Sequence, residues 1–201
     1  MRIISIRFEK EGFMQKYFAV LTIILLFGMV LTRSLMMKRQ GIKAVYFGKE
    51  DKKDFFIPPF ALFYFYLIFA NTFNLPAVNE QEFFRSEVAS WIGVFVCLWG
   101  LLLFLLSLIS FGKSFRVGID THKPDKLVTT GIFAFSRNPI YVAFAIILAG
   151  QFLIFPDWIF LVYLVAGIFL FHRQVLREEE FMKKQYGRKY LQYCNQVRRY
   201  L

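Results

Sequence analysis

Three short stretches in the last third of the chain carry residue types suited to binding chemistry. They are Leu-Val-Thr-Thr-Gly-Ile-Phe (127–133), Arg137-Asn138-Pro139-Ile140-Tyr141, and Arg177 followed by Glu178, Glu179 and Glu180. The first offers backbone groups around a glycine, the second a guanidinium, an amide and a phenol, the third carboxylates. Such a set can hold a cation and hydrogen-bond a polar ligand. Taken singly, each has an ordinary explanation. Leu127–Gly131 reads as a buried turn, and Asn138-Pro139 as the start of a helix with Asn as its cap and Pro in its first turn. Three consecutive carboxylates read as a solvated face. Neighbours on a helix stand about 100° apart, so only one or two of them can face inward.

Apolar segments must position these groups. Hydrophobic residues make up 57% of the 201 and charged residues 19%, against about 45–50% and about 25% in soluble domains. Five runs contain no Asp, Glu, Lys or Arg: Tyr17–Thr32, Phe55–Asn79, Val88–Gly112, Asn138–Pro156 and Trp158–Phe171. A helix needs roughly 20 apolar residues to cross a bilayer. The pattern predicts an all-α integral membrane protein of about five transmembrane helices with a C-terminal cytoplasmic helical segment. The first and fifth runs are short and must borrow flanking residues or sit where the bilayer thins. Pro156-Asp157-Trp158 punctuates a tight hairpin, with Pro ending one helix and Asp capping the next. Beyond His172 the pattern predicts a charged helix over Arg173–Gln185 stopped at Tyr186-Gly187. A second helix is predicted over Arg188–Leu201, with Tyr190, Tyr193, Val197 and Tyr200 forming an apolar stripe. No repeat or linker divides residues 1–201, which read as one domain. Residues 1–111 hold the first three spans, and 112–201 hold a binding loop, the hairpin and the terminal helices.

The net charge of +11 does not indicate nucleic acid, because its distribution follows the loops. The second, fourth and last polar segments hold 7, 5 and 8 Lys and Arg, whereas the first and third hold 4 and 1. The positive-inside rule makes the richer segments, and with them the C-terminus, cytoplasmic. The first apolar run begins late and lacks a small-residue cleavage pattern, which argues against a signal peptide. Cys97 and Cys194 stand at different depths and form no metal spacing. His122 and His172 are also too few and too distant for a metal site. His172, at the end of the fifth run, is a site candidate; His122 is a loop residue.

In their order, with a hairpin between, these motifs resemble the isoprenylcysteine carboxyl methyltransferase family and the related phospholipid methyltransferases. The matching positions are Leu127, Val128, Thr129, Gly131, Phe133, Arg137, Asn138, Pro139, Tyr141, Glu178, Glu179, Tyr186, Gly187, Tyr190, Tyr193, Val197 and Arg198. The likeness is strong over about residues 112–201 and only an outline before. It implies S-adenosylmethionine bound at the cytoplasmic face and methyl transfer to a lipophilic, prenylated or acylated acceptor. The reaction nearest to hand is O-methylation of an isoprenylcysteine-like carboxylate, without metal or nucleic acid. By the same resemblance, Lys126, Leu127 and Val128 meet the cofactor through their backbone, and Phe133 walls the adenine. Asn138, Pro139 and Tyr141 surround the methionine part, and Glu178, with Glu179 beside it, accepts hydrogen bonds from the cofactor's amine or hydroxyl groups. No residue is assigned a catalytic role. Asn138 stands where His is commoner, Ala143 where Gly is frequent, and Gln174 where the prenylcysteine enzymes carry a substrate-binding Arg. Arg173, Gln174 and Arg177 are the set available to an acceptor head group. Other readings remain open: a non-catalytic lipid-binding scaffold, a phospholipid or thiol methyltransferase, and a reductase of the related sterol family.

Overall fold

Long apolar runs fold as helices because each must satisfy its own backbone away from water. A computed structural model describes residues 13–39, 57–76, 82–112 and 127–201. The helices are α1 (Phe13–Arg39), α2 (Ile57–Phe73), α3 (Glu87–Phe111), α4 (Pro139–Ile154), α5 (Trp158–Tyr186) and α6 (Arg188–Gln196), with one 3-10 turn at Gly131–Ala134 before α4. Among the described residues there is no strand, only an isolated antiparallel bridge between Glu82 and Asp157.

Three helices are long and apolar enough to cross a membrane, namely α1, α3 and α5, while α2 and α4 are shorter apolar helices. The run lengths pointed the other way, since Tyr17–Thr32 and Trp158–Phe171 were the short ones. A charged residue ends an apolar run but not a helix. α1 continues through Arg33, Lys38 and Arg39, and α5 runs unbroken from Trp158 through the charged stretch to Tyr186. α2 is cut short by Asn74, which adopts a left-handed backbone (φ 52°). The Leu75 N–H then closes onto the Ala70 carbonyl at 3.0 Å, and Pro76 follows. At about 1.5 Å per residue, 17 and 16 residues give α2 and α4 roughly 25 Å each, under the about 30 Å of a hydrocarbon core.

Helix ends are set locally. Asp157 accepts the Ile159 and Phe160 N–H groups at 2.8 and 2.9 Å, which starts α5 where the hairpin was expected. The Ser86 hydroxyl accepts from Ala89 at 3.2 Å to start α3, and Gly112 at φ 51° ends it. Asn138 occupies the cap position of α4 but does not cap it; its amide is drawn to partners on other elements.

α3 and α4 make the closest pairing. A Cβ on Gly150 would lie 2.7 Å from the Gly93 carbonyl, and one on Gly93 would lie 2.6 Å from the Gly150 carbonyl. Small residues let two backbones approach where lipid offers no hydrophobic drive between helices. α1 packs on α3, with Ala19, Ile23, Val94 and Cys97 in one buried cluster; Leu103, Phe104, Leu108 and Ala143 form a second cluster nearer the site. The Gln151 amide donates to the Ala19 carbonyl at 3.1 Å, tying α4 to α1 at the end away from the site. At the opposite end, Arg33 donates to the Gly112 carbonyl, joining the ends of α1 and α3. Leu21, Ile24, Phe27, Phe95, Trp99, Val165 and Phe169 are exposed. They form an apolar exterior suited to lipid.

Candidate functional site

The residue 127–138 segment, the first turn of α4, the polar half of α5, and α6 with residues 197–201 meet at one end of the bundle. The loop is seated on α3: the Ile132 N–H donates to the Ser110 hydroxyl at 3.3 Å, and the Phe133 ring is buried edge-on against Phe111, centroids 4.5 Å apart. Gly131 has φ 65°, a conformation that favours glycine. From below, the Tyr193 hydroxyl of α6 donates to the Phe133 carbonyl at 2.6 Å. Burial pushes that phenol up to about 12, so it remains a donor at neutral pH.

Two adjacent carboxylates of α5 face inward while the third, Glu180, is exposed and pairs with Lys184 at 2.7 Å. Glu178 Oε1 accepts the Tyr141 hydroxyl at 2.6 Å and the Gln174 amide at 3.0 Å. Glu179, 2% exposed, takes a different set. Its Oε1 accepts from the Asn138 amide at 3.2 Å and pairs with Arg137 at 3.3 Å. Its Oε2 accepts from Arg199 Nε and pairs with Arg199 Nη2, both at 3.0 Å. Hydrogen bonding to Glu179 holds the Arg199 guanidinium above its ordinary pKa.

Residues 197–201 do not continue α6. Val197 is extended (φ −124°, ψ 135°), so the helix expected over Arg188–Leu201 ends at Gln196. The backbone beyond it finds partners on the loop instead. Arg137 N–H donates to the Arg198 carbonyl at 3.0 Å, and the Asn138 amide donates to the Arg199 carbonyl at 3.1 Å. The Tyr200 hydroxyl lies 2.7 Å from His172 Nδ1. Residues 197–201 thus form a strap laid between the loop and α5.

Of the residues singled out in the sequence, Asn138, Tyr141, Gln174, Glu178 and Glu179 are brought together. Pro139 is buried at the first position of α4, Leu127 and Val128 are half-buried in the loop, Arg173 is exposed and Arg177 half-buried. Lys126 and His122 lie outside the described residues. Sequence reasoning missed Arg199 and Arg137 as partners of Glu179. Pairing two arginines with one of three consecutive glutamates requires the fold, and the Arg198-Arg199 dipeptide was the available signal.

The Tyr141 ring extends the cluster into the bundle. It lies 5.9 Å from Phe171, which stacks on Phe144 at 5.5 Å, which in turn lies 5.3 Å from Phe104. A carboxylate beside an aromatic ring fits a sulfonium or ammonium cation, and the amide and phenol beside it fit a polar amino-acid head.

Fold and site define a helical membrane protein with a carboxylate, tyrosine and amide cluster at one end of the bundle. Residues 88–189 match the phospholipid methyltransferase family, and the chain belongs to it. It is 26% identical over 132 residues to a protein-S-isoprenylcysteine O-methyltransferase of Tribolium castaneum, covering 64% of this chain and 45% of the beetle protein. Protein-S-isoprenylcysteine O-methyltransferase B of Arabidopsis thaliana is 27% identical over 130 residues, 61% of this chain and 66% of that protein. A probable protein-S-isoprenylcysteine O-methyltransferase of Oryza sativa subsp. indica is 27% identical over 125 residues, 61% and 63% of the two chains. The chain therefore spans about half to two thirds of the relatives it matches. No solved structure matches it.

Proposed function

We propose that this protein transfers a methyl group from S-adenosylmethionine to a lipophilic acceptor at the end of the bundle where Tyr141 meets Glu178. When bound, S-adenosylmethionine supplies an electrophilic methyl on a sulfonium centre. Glu178 offers a carboxylate to the cofactor's amine or hydroxyl groups and favours its positive charge, while Tyr141 and Gln174 hold that carboxylate in place. The backbone of Leu127 and Val128 and the ring of Phe133 line the adenosine side. Asn138 and Pro139 fix the start of α4, and with it the direction of Tyr141. The single observation that carries the reading is the double role of Tyr141, whose hydroxyl is on Glu178 while its ring begins the aromatic run through Phe171 and Phe144. A hydrocarbon tail lying along that run gains roughly 0.8 kcal/mol per buried methylene, and the polar head is left at the cofactor. A prenylcysteine carboxylate is such an acceptor. It is ionised at neutral pH, so it needs positioning by Arg173, Gln174 or Arg177 rather than a general base. Bound there, S-adenosylmethionine would supply the methyl to a carboxylate oxygen, with the electron pair of the sulfur–methyl bond left on sulfur. The five apolar helices are read as five crossings, and the Lys- and Arg-rich segments as cytoplasmic.

The test is equilibrium binding of S-adenosylmethionine to the detergent-purified protein. A lost hydrogen bond to a charged group costs about 1.5–3 kcal/mol, roughly 10- to 100-fold in affinity. Tyr141→Phe and Glu178→Gln should each weaken binding by that factor, and Glu180→Gln should not. Absence of binding to the unaltered protein, or equal binding by all three variants, refutes the reading.

A further inference from the structure

α5 presents two neighbouring stripes at this end. Phe171, Gln174 and Glu178 follow one another at intervals of three and four residues and face Tyr141 of α4. His172, Val175 and Glu179 repeat the spacing one residue on and run along the strap: His172 meets Tyr200, Val175 is fully buried, and Glu179 meets Arg199. Glu179 accepts hydrogen bonds from the Asn138 amide and Arg199 Nε and forms ion pairs with Arg137 and Arg199. Its carboxylate is thus engaged by side chains of the protein, and it is 2% exposed. Its donors come from the loop before α4, from the cap of α4, and from the strap, and Asn138 also holds the strap through the Arg199 carbonyl. Tyr141 is the third residue of α4, and its N–H donates to the Asn138 carbonyl at 3.1 Å.

We propose that Glu179 is a positioning residue: by clamping Arg137, Asn138 and Arg199 together it locks the first turn of α4 against the strap and so keeps the Tyr141 hydroxyl on Glu178. The charge is required, not only the hydrogen bonds. Two guanidinium groups converge on this one carboxylate, and the Arg137 side chain is only 11% exposed. A neutral side chain at 179 leaves two guanidinium groups facing each other without a counter-charge, one of them, Arg137, largely shielded and the other, Arg199, 36% exposed. The strap is then repelled, and the first turn of α4 loses its outer support.

The inference rests on the methyltransferase reading only for its ligand arm, and two measurements separate them. The first needs no ligand: Glu179→Gln should expose the strap, raising the rate of trypsin cleavage after Arg198 and Arg199 at least about tenfold while cleavage elsewhere is unchanged. The second is a double-mutant cycle on S-adenosylmethionine binding. Tyr141→Phe should cost about 10- to 100-fold in the unaltered background and less than about threefold beside Glu179→Gln, because there the phenol has already left Glu178. A merely structural role gives additive losses. Arg199→Ala, which keeps Glu179 paired with Arg137, serves if Glu179→Gln does not fold. It should release the strap, read as faster trypsin cleavage after Arg198, the site it keeps, and Arg199→Lys should restore part of the protection at that same bond. Additive losses, or a strap as resistant in Glu179→Gln and Arg199→Ala as in the unaltered protein, overturn the proposal. A released strap in a protein that never bound S-adenosylmethionine keeps the clamp and removes the proposed reaction.

Discussion

Gly150→Ala at the crossing of α3 and α4 sets two terms of opposite sign against each other. Alanine is favoured over glycine in a helix by about 1 kcal/mol. The added methyl, however, would sit 2.6 Å from Cys97 Sγ, 2.7 Å from the Gly93 carbonyl oxygen and 2.9 Å from the Cys97 backbone nitrogen. Two of those three atoms belong to the α3 backbone, so no rotamer change relieves the contact and the helices must separate by roughly 0.7 Å to regain ordinary packing. A gap of that size forfeits about a quarter to a half of each dispersion contact it opens, and overpacking of this kind costs typically about 1–3 kcal/mol. The net expectation is a loss of up to about 2 kcal/mol. Gly28→Ala in α1 carries the same propensity term with nothing within 4 Å of the new methyl, so it should be neutral or stabilising by up to about 1 kcal/mol. The difference between the two variants, followed by denaturant unfolding in one detergent with helical circular dichroism as readout, isolates the crossing. Equal shifts of the same sign in both would show that α3 and α4 are not in close contact through these glycines.

Asp157→Ala removes the acceptor of two N–H groups at the start of α5 and should cost about 1–2 kcal/mol in the same unfolding assay. Asp157→Asn, which keeps an acceptor, should cost clearly less, and an equal loss in both would assign the effect to charge instead. Tyr193 gives a pH signature. Its folded phenol is pushed up to about 12, chiefly by burial, whereas an unfolded tyrosine ionises near about 10. The stability it contributes is complete below the unfolded value and is lost as pH rises through the folded one. Tyr193→Phe should destabilise by about 1 kcal/mol at neutral pH and flatten the decline between about pH 10 and 12. A decline of unchanged slope would mean that this phenol is not protected by the fold.

Helix starts were the most legible feature of the sequence because they are local. Asp157 before Trp158 and the uncharged run from Val88 to Gly112 gave the hairpin and α3 nearly to the residue, since capping oxygens and a terminal glycine act within one turn. Helix lengths were less legible, because runs bounded by charges measure polarity and not backbone conformation. α1 and α5 pass through their charges, while α2 stops inside its apolar run. Asn74 followed by Leu75-Pro76 was the signal for that stop, as asparagine tolerates the left-handed conformation that ends a helix.

The site divides along the same line. That a polar loop and a charged helix meet follows from the hairpin, since segments leaving adjacent helix feet are neighbours, and it puts Asn138, Tyr141 and Glu178 within reach of one another. Which glutamate takes which partner does not follow, because a rotation of α5 by one residue, about 100°, would exchange the stripe facing Tyr141 for the stripe facing the strap. That rotation is fixed by groups with no motif of their own. Phe171 lies against Tyr141 and Phe144, Val175 is fully buried, and Arg199 reaches Glu179 from a segment whose tyrosine spacing suggested continued helix. The strap is extended because its carbonyls are taken by Arg137 and Asn138, partners some 60 residues earlier in the chain, and no local pattern encodes such a contact. Adjacent carboxylates with the same chemistry therefore acquire different surroundings, one open to a phenol and an amide, the other closed by two arginines.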